Sequence, residues 1–239
     1  MIKLASNHEY SSKIFACDYK YFNNLLKTQE SQLLDTRFYM SQEVSFSAIC
    51  AASTAGCNSL VELFLNSGAK VNDRCVYGTT PLIAAARENH PNTVSKLLNY
   101  GAEPDLKRVD GISAAHLAAI KNSVDILRDL WEFGADIDAK SNIGHTPLHY
   151  AAFLGNQYSV EFLISKRANT KALDNAGKLP AHYAAAKQHD FIFSLLISNY
   201  ATQSNDYNYE SITFHFYPNE TLSGNYEVYN YNGSDVIQL

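Results

Sequence analysis

Apolar residues recur through the middle of the chain at the three- and four-residue spacing of a helix with one buried side, as in Val124, Leu127, Leu130 and Trp131, and again in Val160, Phe162, Leu163 and Ile164. A shorter, Ala-rich stretch precedes each of these, marked by the pairs Ala84-Ala85, Ala118-Ala119, Ala151-Ala152 and Ala184-Ala185. Alanine favours helix and keeps it thin, so the pattern predicts a slim first helix that lets neighbours approach, followed by a second that supplies bulk. Thr80-Pro81 and Thr146-Pro147 fit the start of the slim helix: a hydroxyl to cap it, then a residue with no amide hydrogen to leave unpaired. Near the C-terminus the pattern changes. Ile212, Phe214 and Phe216 alternate with Thr213, His215 and Tyr217, the period of a half-buried strand, and a second alternating run spans residues 225 to 231.

The helix pairs repeat. Gly78, Gly111, Gly144 and Gly177 are each 33 residues apart, and Ser45 stands one period before the first. The segments they open read Gly78-Thr-Thr-Pro-Leu-Ile-Ala-Ala85, Gly111-Ile-Ser-Ala-Ala-His-Leu-Ala118, Gly144-His-Thr-Pro-Leu-His-Tyr-Ala151 and Gly177-Lys-Leu-Pro-Ala-His-Tyr-Ala184, with Ser45-Phe-Ser-Ala-Ile-Cys-Ala-Ala52 as the earliest. Gly68, Gly101 and Gly134 fall just past the second helices, where a chain turns through the left-handed region that glycine enters freely. Arg167 and Tyr200 occupy that position in the last two units, which costs on the order of 1 kcal/mol if the backbone stays left-handed, or else remodels the turn.

Period, motif and helix pattern together resemble the ankyrin-repeat family, whose signature T-P-L-H-x-A is closest to Thr146-Pro-Leu-His-Tyr-Ala151. The resemblance covers residues 45 to about 206. It implies an all-α solenoid of stacked helix pairs joined by hairpin-like connections, with units at 45–77, 78–110, 111–143, 144–176 and 177–206. Residues 1–44 read as a degenerate N-terminal capping repeat, with a helix pair over 12–27 and a longer connection through Gln29 and Thr36 to Gln42. The last unit, rich in Phe191, Ile192, Phe193, Leu195, Leu196 and Ile197, is more apolar than one buried side requires. The Tyr- and Asn-rich tail, residues 207–239, is expected either to cover it, as a hairpin or extended pair, or to be a disordered binding segment.

Composition narrows the function. A net charge of -5 gives no general attraction to nucleic acid, no apolar run is long enough to span a bilayer, and no leader is visible, so the sequence points to a cytosolic or nuclear setting. Cys17, Cys50, Cys57 and Cys75 fit neither a zinc spacing nor a dense disulfide framework and read as reduced thiols. His116, His149 and His182 recur at the repeat spacing. One ligand per unit at that separation cannot serve one ion, and in the family this histidine is structural. No nucleophile elbow, phosphate loop or zinc-protease motif occurs. The expectation is therefore no cofactor, no metal, no enzyme chemistry and a protein partner.

The resemblance also says where that partner would sit, on a concave face made by the residues flanking each unit's Gly and the two after its Ala pair. Here these are Tyr77, Thr79, Arg87 and Glu88, then Asp110, Ile112, Ile120 and Lys121, then Ile143, His145, Phe153 and Leu154, then Lys178 and Lys187. Ile112, Ile120, Ile143, Phe153 and Leu154 would form an apolar centre inside a polar rim, unless Ile120, Phe153 and Leu154 pack between units instead. A second reading places the activity in the tail, as a regulatory or targeting subunit (a host-directed effector among them), with the repeats as scaffold.

Overall fold

The computed structural model describes residues 12–29, 37–41, 44–202, 227–229 and 236–238. A short helix α1, described at 12–15, and α2 (Tyr19–Gln29) come first, followed by strands β1 (Arg37–Ser41) and β2 (Val44–Ser47). Five helix pairs follow: α3 (Ala48–Thr54) with α4 (Asn58–Asn66), α5 (Pro81–Arg87) with α6 (Pro91–Asn99), α7 (Ala114–Ile120) with α8 (Val124–Glu132), α9 (Pro147–Leu154) with α10 (Gln157–Ser165), and α11 (Pro180–Ala186) with α12 (Asp190–Thr202). First helices pack on first helices and second on second, each unit meeting its sequence neighbours in the manner of a solenoid.

The core is a continuous seam between the two helix layers. Ala85, Ala118, Ala151 and Ala184 have no exposed surface, and Leu60, Val94, Leu97, Leu127, Leu130 and Leu163 fill the space between units. Three recurring devices hold the register. The motif histidine accepts the backbone N–H of the helix-cap residue at Nδ1 and donates from Nε2 to the next unit: His116 to the His145 carbonyl at 3.0 Å, His149 to the Lys178 carbonyl at 3.1 Å. In the opposite direction, side chains at the start of second helices reach back to the end of the preceding first helix, His90 to the Thr54 carbonyl and Asn156 to those of Ala119 and Ile120. Successive hairpin loops also bond to one another, the amides of Val109, Asn142 and Asn175 donating to the carbonyls of Tyr77, Asp110 and Ile143.

The N-terminal end departs from expectation twice. All four cysteines are paired: Cys17 to Cys57 and Cys50 to Cys75, with Cα–Cα separations of 5.4 and 6.9 Å. The expectation of reduced thiols is therefore corrected. The first bridge ties the loop before α2 to the start of α4, the second ties α3 to the loop that leads into the next unit. The stretch between α2 and α3 is also not a plain connection, since β1 and β2 pair antiparallel in register Arg37 with Ser47 and Phe38 with Phe46. Because the bridges close loops of 40 and 25 residues, reduction is expected to remove roughly 2 to 4 kcal/mol of stability apiece. Thermal unfolding with and without reductant, alongside thiol alkylation that labels no cysteine in the untreated chain, checks this.

The two missing glycines are resolved in different ways. Arg167 takes the left-handed turn itself, at φ +63°. Tyr200 does not turn at all, because α12 runs on through it to Thr202, four residues longer than the nine-residue second helices before it. In the tail, β3 (Glu227–Tyr229) pairs antiparallel with β4 (Val236–Gln238). The alternating run over 212–217 lies outside the described residues.

Candidate partner-binding surface

The hairpin loops define which residues reach solvent. In each, the amide four residues before the loop's end bonds back to the chain: Cys75 to the Thr79 carbonyl, Arg108 to Ile112, Ser141 to His145 and Asp174 to Lys178. The glycine between turns left-handed and the residue before it faces out, while the residue after it is buried at Thr79 and Ile112, half-buried at His145 and exposed at Lys178. Tyr77, Asp110 and Ile143 are exposed accordingly. Thr79 and Ile112 are 7% and 8% exposed, which corrects their assignment to the surface. Ile120 packs partly against the core, whereas Phe153 and Leu154 remain 40% and 44% exposed and Ile143 55%. The apolar centre therefore loses Ile112 and most of Ile120 but keeps the other three.

Around Phe153 the surface is built from fixed rings. Tyr183 lies edge-on to Phe153 at 6.1 Å and to His145 at 4.9 Å, His145 stacks on His149 at 5.4 Å, and Tyr150 stands edge-on to His145 at 5.2 Å. The Lys187 ammonium is 4.7 Å from the centre of the Phe153 ring, a cation–π contact that closes one side of it. Below the rings, the Tyr183 hydroxyl donates to Asp174 Oδ2 at 2.5 Å, and His145 Nε2 lies 2.9 Å from that hydroxyl and 3.2 Å from the same carboxylate oxygen. With the phenol proton committed to Asp174, the His145 Nε2–H is the donor to both. Asp174 Oδ1 accepts the amides of Ala176 and Lys178, so this carboxylate fixes its own loop, a ring of the next helix and a ring of the previous loop.

The electrostatics are those of a braced surface. Burial alone would raise the Asp174 carboxyl, but the hydrogen bonds from Tyr183, Lys178 and Ala176 outweigh it and hold it below the ordinary range. Burial, then the bond to Asp174, pushes the Tyr183 phenol up, which keeps it neutral. Burial pushes His116 and His149 down to about 4, so both are neutral at pH 7. A neutral phenol whose proton is already donated is no general base, and the histidines are occupied in the fold. Among the described residues no group of three or more His, Cys, Asp or Glu is placed to hold a metal ion.

Of the remaining expected residues, Glu88, Lys121, Lys178 and Lys187 are exposed, and Arg87 is half-buried against Glu88 at 2.8 Å. Tyr77 is also exposed, at φ +55°. Val109, which the register did not single out, is an exposed apolar residue at a loop tip, its amide on the Tyr77 carbonyl. Tyr150 and Tyr183 were also missed. Their signal was present, since both fill the x of the T-P-L-H-x-A motif, a first-helix position between buried His and buried Ala.

A stack of thin-and-thick helix pairs, coupled by motif histidines and by bonded hairpin loops, defines the class of helical repeat solenoids. The model of the family described as ankyrin repeats matches in three copies, over residues 14–108, 96–174 and 115–211, and the chain belongs to the ankyrin-repeat family. A search of curated proteins returned no match. Ankyrin repeats are generally protein-interaction modules. No helix among the described residues is long and apolar enough to cross a membrane.

Proposed function

We propose that the chain is a non-enzymatic module that holds a partner protein on the face made by its hairpin tips and first helices, which the family resemblance makes the concave one. The observation that carries this reading is the exposure of large apolar side chains on a surface already braced: Ile143, Phe153 and Leu154, continued along the loop tips by Val109 and Tyr77. Exposed Asp110, Glu88, Lys121, Lys178 and Lys187 supply a charged rim, so the arrangement is an apolar anchor with polar edges. Rings locked by Asp174 lose little freedom on association, which is how such a surface gains affinity without moving. The cysteine pairing favours an oxidising surrounding over the cytosol.

The double substitution Phe153→Ser/Leu154→Ser tests the reading. Both side chains are exposed, so the unfolding free energy is expected to change by about 1 kcal/mol or less, while a partner captured by the unaltered chain is lost. A loss of several kcal/mol with the partner retained would make these residues packing and overturn the assignment.

A further inference from the structure

The charges of the repeats are sorted by layer. Five lysines stand on the hairpin loops and first-helix ends: Lys107, Lys140 and Lys178 in loops, Lys121 and Lys187 as the C-caps of α7 and α11. Among the described residues none of their ammonium groups lies within 4.0 Å of a carboxylate. Lys107 and Lys140 donate instead to carbonyls of the next loop, those of Lys140 at 3.0 Å and Leu173 at 2.7 Å. The carboxylates beside these lysines are already engaged: Glu88 with Arg87 at 2.8 Å, Asp110 with Arg108 at 2.9 Å, and Asp174, whose side chain is 1% exposed, with its ring partners. Acid gathers in the other layer, as Asp125, Asp129 and Glu132 on α8 and Asp136 and Asp138 in the turn after it.

A chain of net charge -5 therefore turns a cationic surface toward its exposed apolar side chains. Lys187 sits on the Phe153 ring, and Lys121 ends the helix packed beside the one that ends at Phe153 and Leu154. Lys140 begins the loop that carries Ile143, and Lys178 closes the next. Like charges gathered without counter-charges repel one another, and an anionic partner relieves that repulsion.

We propose that the segment held on this face is acidic: a stretch of a partner protein with one or two large apolar side chains seated on Ile143, Phe153 and Leu154, between Asp or Glu residues that reach Lys121, Lys178 and Lys187. This rests on the partner-binding reading above and adds the chemistry of the partner. A nucleic acid carries the same charge but finds no stacking platform around Phe153. Lys187 covers that ring, Tyr183 stands edge-on to it, and Ile143 and Leu154 have no ring. The net charge also repels a long polyanion, whereas a few carboxylates stay within reach of the lysines.

Selection from a randomised peptide display library on the full-length chain, its disulfides intact, tests this. Enriched peptides are expected to carry Asp or Glu on both sides of Leu, Ile, Phe or Trp. Their binding should weaken about tenfold or more between about 0.05 and 0.5 M salt, and by a similar factor on Lys121→Glu/Lys178→Glu, which leaves Lys187 on Phe153. Lys70→Glu/Arg128→Glu, the same change of charge in the turn after α4 and on α8, should leave it within about twofold. Reselection on Lys121→Glu/Lys178→Glu should turn the flanking residues to Lys and Arg. No enrichment, enrichment without acidic bias, or acidic peptides that bind both double variants equally would overturn the proposal. So would an oligothymidylate that displaces every enriched peptide, which would assign the lysines to nucleic acid. The two readings fail separately. Peptides lost on Phe153→Ser/Leu154→Ser but free of acidic bias uphold the proposed function and overturn this inference; acidic peptides that need the lysines but not Phe153 and Leu154 uphold the acid requirement and overturn the apolar anchor.

Discussion

Lowering the pH from about 6.5 to 4 is expected to remove on the order of 5 kcal/mol of stability, most of it through His116 and His149. Unfolded, each imidazole takes up its proton near its ordinary value of 6.5; folded, burial holds each back to about 4. Across that window the unfolded chain binds more protons, so the contribution is complete above it and falls steadily as the medium becomes more acid. Two histidines with this displacement contribute roughly 3 kcal/mol apiece. The cause is geometric, since each ring is enclosed by the seam with Nδ1 already accepting and Nε2 already donating. A second proton on Nδ1 would break the bond from the cap amide. Below this window the depressed Asp174 carboxyl adds its own loss as it is protonated. Urea unfolding at a series of pH values, with His149→Gln expected to remove roughly half of the fall, is the check. A flat profile from pH 6.5 to 4 would mean that the rings titrate as if exposed.

The second large effect is expected at Gly144. Its φ of +82° is left-handed, and a methyl group there would stand 2.5 Å from Asn175 Oδ1 and 2.6 Å from Asn175 N, in a residue whose amide N–H and Nδ2 both donate to the preceding loop. Gly144→Ala therefore combines backbone strain with displacement of the following loop, and about 3 kcal/mol or more should be lost. Gly134 has the same φ with open space around it, so Gly134→Ala isolates the strain, about 1 kcal/mol. Denaturant midpoints of the two variants separate the effects, and equal losses would show that the loops are free to part.

The contrast between the two glycines also shows what a sequence can disclose. Thr146-Pro147, the Ala pairs and the spaced glycines are local signals with local causes, so helix starts, thin helices and turns were readable residue by residue. Burial across the stack was not. Ile112 and Ile143 sit on opposite sides of a glycine in successive loops, and only the left-handed turn decides that one points inward and the other outward. Phe153 and Leu154 were equally ambiguous, because the last turn of a short helix can face seam or solvent. The disulfides were invisible for a related reason: residues 40 and 25 apart meet through tertiary packing, the first pair across the N-terminal helices and the first unit and the second within that unit, which leaves no spacing motif behind. The Asp174 brace was hidden too, since its four partners, Tyr183, His145, Ala176 and Lys178, belong to two loops and a helix.

The two cross-links confer a direction on the array. Both lie before Tyr77, so the N-terminal helices and the first unit gain little chain freedom by opening, whereas among the described residues the fifth unit is joined through the left-handed Arg167 turn and neighbour contacts, with no cross-link. Gentle heating should then peel the solenoid from its C-terminal side, taking the Tyr183 ring from beside Phe153 while Tyr77 and Val109 keep their places. A partner anchored on the early loop tips would outlast one anchored on Phe153, and the order in which contacts vanish would reveal where on the ladder it sits.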